Sequence, residues 1–236
     1  MQSNSPLLTA WARRRRGAIV LCGGKSRRMG EDKAWLPFGN DAMLTRVVRI
    51  VAQSVPASNI AVIAAANQQL PQLQDRVQVL RDAEDSAGPL PALIAGMNAI
   101  LDLADDIFVT SCDVPLLRAN VIDWIFWRLD QARMMPLAAE ERPYEAVVPQ
   151  DQHRSYPLTA VYNVSARVGF SASQSMGDNS LQGPLRSGLV RAFAVPVEEM
   201  QAVDPQLDAL INCNTWYDYE SALERATESS FDQPAP

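Results

Sequence analysis

The sequence predicts an α/β protein with a single doubly wound, mostly parallel sheet and helices on both of its faces. Strand-like apolar runs alternate with helix-like segments through the first half, an order typical of parallel strands joined by crossover helices. The 236 residues, 47% of them apolar, suffice to bury one complete core. A glycine-rich, basic segment directly follows the first apolar run, and ligands of such sheets bind beyond the carboxyl ends of the strands.

The first half of the chain carries the regular alternation. Short apolar runs, beginning with Ala-Ile-Val-Leu at 18–21, predict the strands, and the longer mixed segments between them predict the helices. The predicted strands cover residues 18–21, 59–65, 77–80 and 107–111. The predicted helices cover 42–54, a short segment near Gln68, 90–103 and 120–132.

The second half is less regular, and we expect strands of mixed direction there. Strands are predicted at 146–148, 158–162 and 189–195, and a closing helix at 215–224 has Thr215 as its N-cap. We expect one folded domain over residues 17–228, whose two halves divide near residue 135. The polar, proline-containing ends, a basic one at 1–16 and another at 229–236, are expected to be flexible tails.

Composition and charge exclude several classes of protein. No apolar run approaches the length of a membrane span, and the run after Arg13 to Arg16 is too short for a signal-peptide core. We therefore expect a soluble, cytoplasmic protein with no membrane partner. The net charge of −6 argues against a nucleic-acid partner, although eight basic and two acidic residues between Arg13 and Lys33 suit a polyphosphate ligand. Arg13 to Arg16 themselves we interpret as part of the solvated tail.

The three cysteines, Cys22, Cys112 and Cys213, are too few and too scattered for a disulfide scaffold and suit a reducing compartment. Each lies beside a predicted functional residue. We expect them to be buried as small apolar side chains, with Cys112 pointing into the core if Asp113 points at a ligand. Their nearness to the site leads to the hypothesis that thiol reagents inhibit the protein.

The segment from Gly23 to Lys33, Gly-Gly-Lys-Ser-Arg-Arg-Met-Gly-Glu-Asp-Lys, predicts a phosphate-binding loop at the end of the first strand. Glycines let backbone N–H groups approach an anion closely, and the four basic side chains add charge. Two common phosphate motifs do not fit, because a Walker loop would need glycine in place of Ile19 and Ser26 breaks the dinucleotide pattern. We expect a nucleoside triphosphate here.

The pattern Leu-x-Gly-Gly-x-Ser-x-Arg-Met-Gly-x-Asp-Lys, from Leu21 to Lys33, resembles the signature loop of nucleotidyltransferases that activate molybdopterin and, more loosely, sugar phosphates. Its double glycine and its Arg-Met-Gly-x-Asp-Lys are most similar to those of molybdenum cofactor guanylyltransferases. The resemblance implies a Rossmann-like fold with a nucleotide half at about 17–135 and an acceptor half at about 136–228. It also implies Mg²⁺-dependent transfer of GMP from GTP to molybdopterin-bound molybdenum cofactor, with release of pyrophosphate.

The resemblance also assigns roles to residues of the nucleotide half. Catalytic roles fall to Arg28, Lys33 and Asp113, with the amides of the double glycine, Arg28 and Lys33 stabilising pyrophosphate. Asp82 would contact guanine, since a carboxylate can accept from both N1–H and the exocyclic amine. The full set of implied nucleotide-binding residues is Leu21, Cys22, Gly23, Gly24, Lys33, Asn67, Asp82 and Asp113. Asn67 could instead be an ordinary turn residue, and the nearby Asp85 a helix-entry carboxylate.

Asp113 is the candidate metal ligand. It directly follows a buried predicted strand, and Mg²⁺ usually takes one or two carboxylates together with phosphate oxygens. The alternative is a turn aspartate that accepts backbone N–H bonds. The glycine-rich loop upstream favours the metal.

The second half contains segments that resemble the acceptor side of the family. Pro157 begins a Pro-Leu strand, and Asn212 and Asn214 lie in Asn-Cys-Asn-Thr. Asn214 could orient the pterin phosphate or complete the metal environment, or it could merely cap the last helix together with Thr215. The only histidine, His153, we interpret as a surface residue.

Two other functions stay open from the sequence. Gly-Pro-Leu-Pro-Ala at 88–92 departs from the Gly-Pro-Leu-Ala-Gly of the family, which bears on nucleotide affinity and base preference. The chain could therefore be a transferase of the same fold that uses CTP or acts on a sugar phosphate, or an inactive module that binds a nucleotide or a partner. The resemblance implies GTP and molybdopterin as substrates, with acceptor molybdoenzymes or their chaperones as further partners.

Overall fold

The sheet of the protein is mixed, with six of its seven strands running in one direction. The computed structural model describes residues 14–23, 31–82, 88–139 and 141–228. The strands are β1 (Arg16–Leu21), β2 (Pro37–Phe38), β3 (Asp41–Ala42), β4 (Ile60–Ala65), β5 (Gln78–Asp82), β6 (Asp106–Ser111), β7 (Ala146–Gln150), β8 (Ala160–Asn163) and β9 (Ala192–Pro196). The α-helices of the described ranges are α1 (Met43–Val51), α2 (Pro89–Ala99), α3 (Ala119–Arg133), α4 (Ala166–Ser175), α5 (Gln182–Arg186), α6 (Val197–Met200) and α7 (Trp216–Glu228).

The strand order places a switch point at β1. The large sheet runs β5-β4-β1-β6-β8-β7-β9, and β2 pairs with β3 in a small antiparallel hairpin. Strands β5, β4, β1 and β6 are parallel neighbours, whereas β8 is antiparallel to both β6 and β7. The chain builds β4 and β5 on one side of β1 and then crosses to β6 on the other. Such a reversal opens a crevice at the carboxyl ends of the strands.

The two faces of the sheet bury separate cores, as the doubly wound prediction requires. Alternate side chains of β1 face opposite sides, so Ala18 and Val20 pack with α1 and α3, whereas Ile19 packs with α2 and α4. A third, smaller cluster includes Phe38 and Tyr219 and packs α7 against the hairpin. The predicted α/β fold is confirmed.

Most predicted elements exist within a few residues of their predicted bounds, but three groups differ. Gln68, predicted to lie in a short helix, instead follows the turn after β4, in a stretch without helical structure. Sequence reasoning also missed the β2–β3 hairpin and helices α4, α5 and α6. The division into two halves remains a prediction.

The last three residues of the predicted flexible tail contact the folded domain. Arg16 begins β1, and Arg14 Nε lies 2.7 Å from Oδ2 of Asp106, which is 3% exposed and also contacts Arg133 at 2.6 Å. Arg15 donates its backbone N–H to Asp105 at 2.8 Å. The buried Asp106 carboxylate needs cationic partners, and Arg14 is one of them. Arg13 lies outside the described residues.

Candidate active site

A cleft of about 530 Å³ opens at the switch point, where β1 and β6 end. The end of β1 contributes Leu21, Cys22 and Gly23, and the end of β6 contributes Ser111, Cys112 and Asp113. Asp82 and the start of α2 line another wall, and Asn212 and Asn214 approach from the C-terminal part of the chain. The cleft therefore gathers side chains from segments far apart in the sequence.

Lys33 and Asp113 face each other in this cleft. Lys33 Nζ lies 3.0 Å from Asp113 Oδ2 and 2.9 Å from Asn214 Oδ1. Oδ1 of Asp113 accepts hydrogen bonds from Asn212 Nδ2 at 3.1 Å and from the Ser111 hydroxyl. Side chains thus hold both oxygens of Asp113, and Lys33 neutralises the carboxylate. Ser111 was not among the predicted site residues, although it lies two positions before Asp113 at the same strand end.

A short 3-10 helix over Lys33–Trp35 carries the lysine. Asp32 caps this helix, because its Oδ1 accepts from the Ala34 N–H at 3.0 Å. Leu36 and Phe38, which follow the helix, are buried. The two residues of the Asp-Lys signature thus have different tasks. Asp32 caps the 3-10 helix, and Lys33 lines the cleft.

Asn214 and Thr215 have separate roles. The Cys213 N–H donates to the Asp113 carbonyl at 2.8 Å, which fastens this segment to the end of β6. Thr215 Oγ1 accepts from the Asp218 N–H at 3.2 Å, and Asp218 Oδ2 accepts from the Thr215 N–H at 2.8 Å. This reciprocal pair is a capping box and confirms Thr215 as the N-cap of α7. The Asn214 side chain meanwhile contacts Lys33.

Gly23 has a different environment from the one predicted. Its N–H donates to the Ile63 carbonyl at 3.1 Å and so does not face an anion in this structure. A Cβ added to Gly23 would lie 3.3 Å from the Ala65 backbone nitrogen, so glycine serves close packing of β1 against β4. Gly24 and Arg28, predicted for nucleotide binding and catalysis, lie outside the described residues, as does Asp85.

Two predicted site residues do not line the cleft. Asn67 is exposed in the turn after β4. The Pro157 carbonyl accepts a hydrogen bond from the Tyr162 hydroxyl at 2.9 Å, and the neighbouring Leu158 reaches the cleft instead. Ala92, where the family pattern has glycine, does line it, so its methyl group borders the space left for a ligand.

The cysteines are buried, as predicted, with exposures of 0 to 6%. Burial raises the pKa of the Cys213 thiol to about 12. Contact with the Cys22 thiol and burial together raise the pKa of Cys112. Because the pKa values of the Cys112 and Cys213 thiols are raised, these two cysteines are poor targets for thiol reagents at neutral pH. His153 is exposed, as predicted.

The side chains of this site could bind one hard cation, such as Mg²⁺, if phosphate oxygens of a substrate supply the remaining ligands. Within the described ranges no group of three or more histidine, cysteine, aspartate or glutamate side chains could hold a metal ion. Asp113 nevertheless offers a hard oxygen beside the amide oxygen of Asn214. Magnesium sites built from one carboxylate and several phosphate oxygens have this composition.

At the switch point of this sheet, where ligands of such folds bind, a cation and a carboxylate thus face each other, and a comparison with known families gives the class of protein, a nucleotidyltransferase. A family model, the MobA-like NTP transferase domain, matches residues 18–192. The chain belongs to this family. The family-level resemblance seen in the sequence is thereby confirmed.

Individual relatives agree with this assignment. A probable molybdenum cofactor guanylyltransferase of Mycobacterium avium is 35% identical over 87% of this chain and 94% of its own length. A molybdopterin-guanine dinucleotide biosynthesis protein A from Archaeoglobus fulgidus has a similar structure, with a TM-score of 0.69 at 20% identity, covering 90% of this chain and 99% of its own. A Mycobacterium tuberculosis protein solved in complex with manganese has a TM-score of 0.54 at 16% identity, covering 89% and 98%. The two structures support the fold.

None of the helices in the described ranges combines the length and apolar character that a membrane crossing requires.

Proposed function

We propose that the protein is a molybdenum cofactor guanylyltransferase, which transfers GMP from GTP to the terminal phosphate of molybdopterin-bound molybdenum cofactor. The observation that carries the proposal is the Lys33–Asp113 pair across the cleft, in a chain of the MobA-like family. The guanine nucleotide and the acceptor are inferred from the name that several of its relatives carry, probable molybdenum cofactor guanylyltransferase.

The reaction forms one bond and breaks one. An oxygen of the acceptor phosphate forms a bond to the α-phosphorus of GTP, while the bond from that phosphorus to the oxygen bridging it to the β-phosphorus breaks. Pyrophosphate leaves with the bridging oxygen and its electron pair. No covalent enzyme intermediate is needed, so the protein acts by positioning the substrates and stabilising charge.

Asp113 would hold Mg²⁺, which neutralises phosphate charge when it is bound. Ser111 and Asn212 already orient one oxygen of this carboxylate. Lys33, whose ammonium group lies 3.0 Å from Asp113 Oδ2, would bind phosphate oxygens of GTP beside that carboxylate. Arg28 and the backbone amide of Gly24 would help to stabilise the negative charge of the leaving pyrophosphate.

Asp82 supports the choice of base, and the two asparagines support the acceptor. Asp82 lines the wall of the cleft beside α2, where its carboxylate could accept two hydrogen bonds from guanine. Asn212 and Asn214, from the C-terminal part of the chain, also line the cleft. An acceptor phosphate would bind beside them. Asn67 and Pro157, outside the cleft lining, would contact ligands only after local movement.

The test is product formation by the purified protein. With GTP, Mg²⁺ and molybdopterin-bound molybdenum, we expect pyrophosphate release and a guanine dinucleotide cofactor detected by mass spectrometry. Chelation of divalent cations should stop the reaction, and Mg²⁺ should restore it. Preference for CTP, or reaction only with a sugar phosphate, would replace the proposal with the related transferase. Nucleotide binding without pyrophosphate release would indicate a binding module.

The Asp113→Asn variant tests the site itself. It keeps the size of the side chain but removes the charge that a cation requires, so we expect activity to fall by about two orders of magnitude or more. Asp75→Asn makes the same change at an exposed turn residue and should behave as the unmodified protein. Equal activity of the two variants would contradict the assignment of Asp113.

A further inference from the structure

Gln68 links the two described ends of the glycine-rich segment. Its Nε2 donates to the Cys22 carbonyl at 3.2 Å and lies 3.0 Å from both carboxylate oxygens of Asp32. Its Oε1 accepts from the Ala65 N–H at 3.2 Å. One amide side chain therefore joins the end of β1, the residue before Lys33 and the end of β4.

These contacts explain why Gln68 does not continue into a helix. Its side chain folds back onto the Ala65 backbone, and its own carbonyl accepts from Arg81 Nη1 at 2.6 Å. The next residue is also engaged, because the Gln69 carbonyl accepts from the Trp35 indole N–H at 2.9 Å. The loop after β4 is thus fastened to the 3-10 helix at two points.

The consequence reaches Lys33 through Asp32. The carboxylate that Gln68 contacts is the one that caps the 3-10 helix at the Ala34 N–H. Lys33 is the first residue of that helix, and its ammonium group contacts Asp113 and Asn214. An amide suits this place because it donates to a carboxylate and accepts from a backbone N–H at the same time. A carboxylate at position 68 could not donate while ionised.

We propose that Gln68 is a positioning residue for nucleotidyl transfer, which fixes the separation of Cys22 and Asp32 and thereby holds Lys33 opposite Asp113. The inference rests on the proposed function, since it assigns a task within the same site. Gln68 itself is not among the residues that line the cleft. It acts through Asp32 and the 3-10 helix.

Three variants test this proposal in the full-length protein. Gln68→Ala removes every side-chain contact, and we expect kcat to fall by about 10- to 100-fold, since misplacing a catalytic group by about 1 Å has such an effect. The KM for GTP should change less than kcat if Lys33 mainly stabilises the charge that develops on the departing pyrophosphate, the role that the family resemblance assigns to it. Gln69→Ala, at the exposed neighbour, is the matched control and should keep both constants.

Gln68→Glu supplies a readout that a merely structural role would not move. The new carboxylate would face the Asp32 carboxylate and the Cys22 thiol. The nearby cationic groups are the Arg81 guanidinium, which donates to the backbone carbonyl of residue 68, and Lys33, which follows Asp32 in the chain. Two adjacent carboxylates repel when both are ionised, and the protonated form of one can donate to the other. Activity relative to the unmodified protein should therefore rise as the pH falls. Gln69→Glu should follow the unmodified profile.

The outcomes separate the two proposals. If the unmodified protein releases no pyrophosphate, the proposed function fails, whatever Gln68 does. If it is active and Gln68→Ala keeps its kcat, or Gln68→Glu follows the pH profile of Gln69→Glu, the role of Gln68 is overturned. Thermal unfolding of each variant, measured beside the kinetics, verifies that lost activity does not come from unfolding.

Discussion

At the residue scale, the cleft is organised around one ion pair. The side chains of Lys33 and Asp113 are each 14% exposed, so both charges are largely removed from water. Their cost of desolvation is offset by the contact between them and by hydrogen bonds from Asn212 and to Asn214. Asp113 would hold the divalent cation, and the Lys33 ammonium group lies beside it in the cleft, where it could bind a phosphate oxygen of the triphosphate.

Lys33→Ala should slow turnover by orders of magnitude without unfolding the protein. Removing one preorganised electrostatic contact typically raises the transition-state barrier by about 3–4 kcal/mol. Asp113 would keep its bonds to Ser111 and Asn212, so the fold should persist. Steady-state kinetics and thermal unfolding measure the two effects.

Arg186→Ala is the matched control, since it removes a positive charge from an exposed position outside the cleft. We expect it to leave kcat unchanged. Near-normal turnover of Lys33→Ala would exclude the lysine from the mechanism.

At the element scale, sequence patterns located strands better than they located the connections that build the site. The strand ends that carry Gly23, Asp82 and Asp113 were predicted from apolar runs, because a buried parallel strand needs such a run. The helix predicted near Gln68 is wrong, because its Nε2 donates to Cys22 and Asp32, which are distant in sequence, and no local pattern shows such contacts. The contact of Lys33 with Asp113 spans 80 positions, and the family resemblance implied only that both residues act in one site.

The capping box of α7 gives a prediction for one element. Thr215→Ala removes the side chain that accepts from the Asp218 N–H, and loss of an N-cap typically costs about 1 kcal/mol of stability. Thr227→Ala changes the same residue type near the far end of the same helix, away from the cap. Urea unfolding should show the larger loss for Thr215→Ala. Equal losses would mean that the cap contributes nothing specific.

At the scale of the whole molecule, a second set of charges lies at the amino ends of the central strands β1 and β6, opposite the end where the cleft opens. Asp106 begins β6 and contacts Arg14, Arg133 and the Asn163 amide. These contacts join the start of the described chain to β6, α3 and β8. The sequence pattern could not show them, because Arg14 resembled one more charge in a basic tail.

Asp106→Asn should destabilise the protein by about 3–5 kcal/mol, since it leaves the buried Arg133 guanidinium with the more distant, partly exposed Asp130 as its carboxylate partner. The Asn163 amide, a neutral neighbour, should remain in place. Chemical denaturation measures the loss. A change below about 0.5 kcal/mol, the range of ordinary surface substitutions, would contradict this assignment.

The same carboxylate makes stability depend on pH. Burial alone would raise the pKa of Asp106, but hydrogen bonds and charge from Arg133 and Arg14 outweigh it and hold the pKa below its ordinary value. The folded state thus binds its proton less readily than the unfolded chain does. This contribution is complete above the unfolded value of about 3.9 and is lost as the pH falls through the folded pKa. Asp106→Asn should lack that part of the acid-induced loss in a denaturation series.

The Arg14 contact also decides how far the N-terminus can be shortened for laboratory work. A version starting at residue 14 keeps the guanidinium that helps to compensate Asp106, whereas one starting at residue 17 leaves Arg133 to do so alone. Affinity tags and fusion partners therefore belong upstream of Arg14, where they leave this attachment intact.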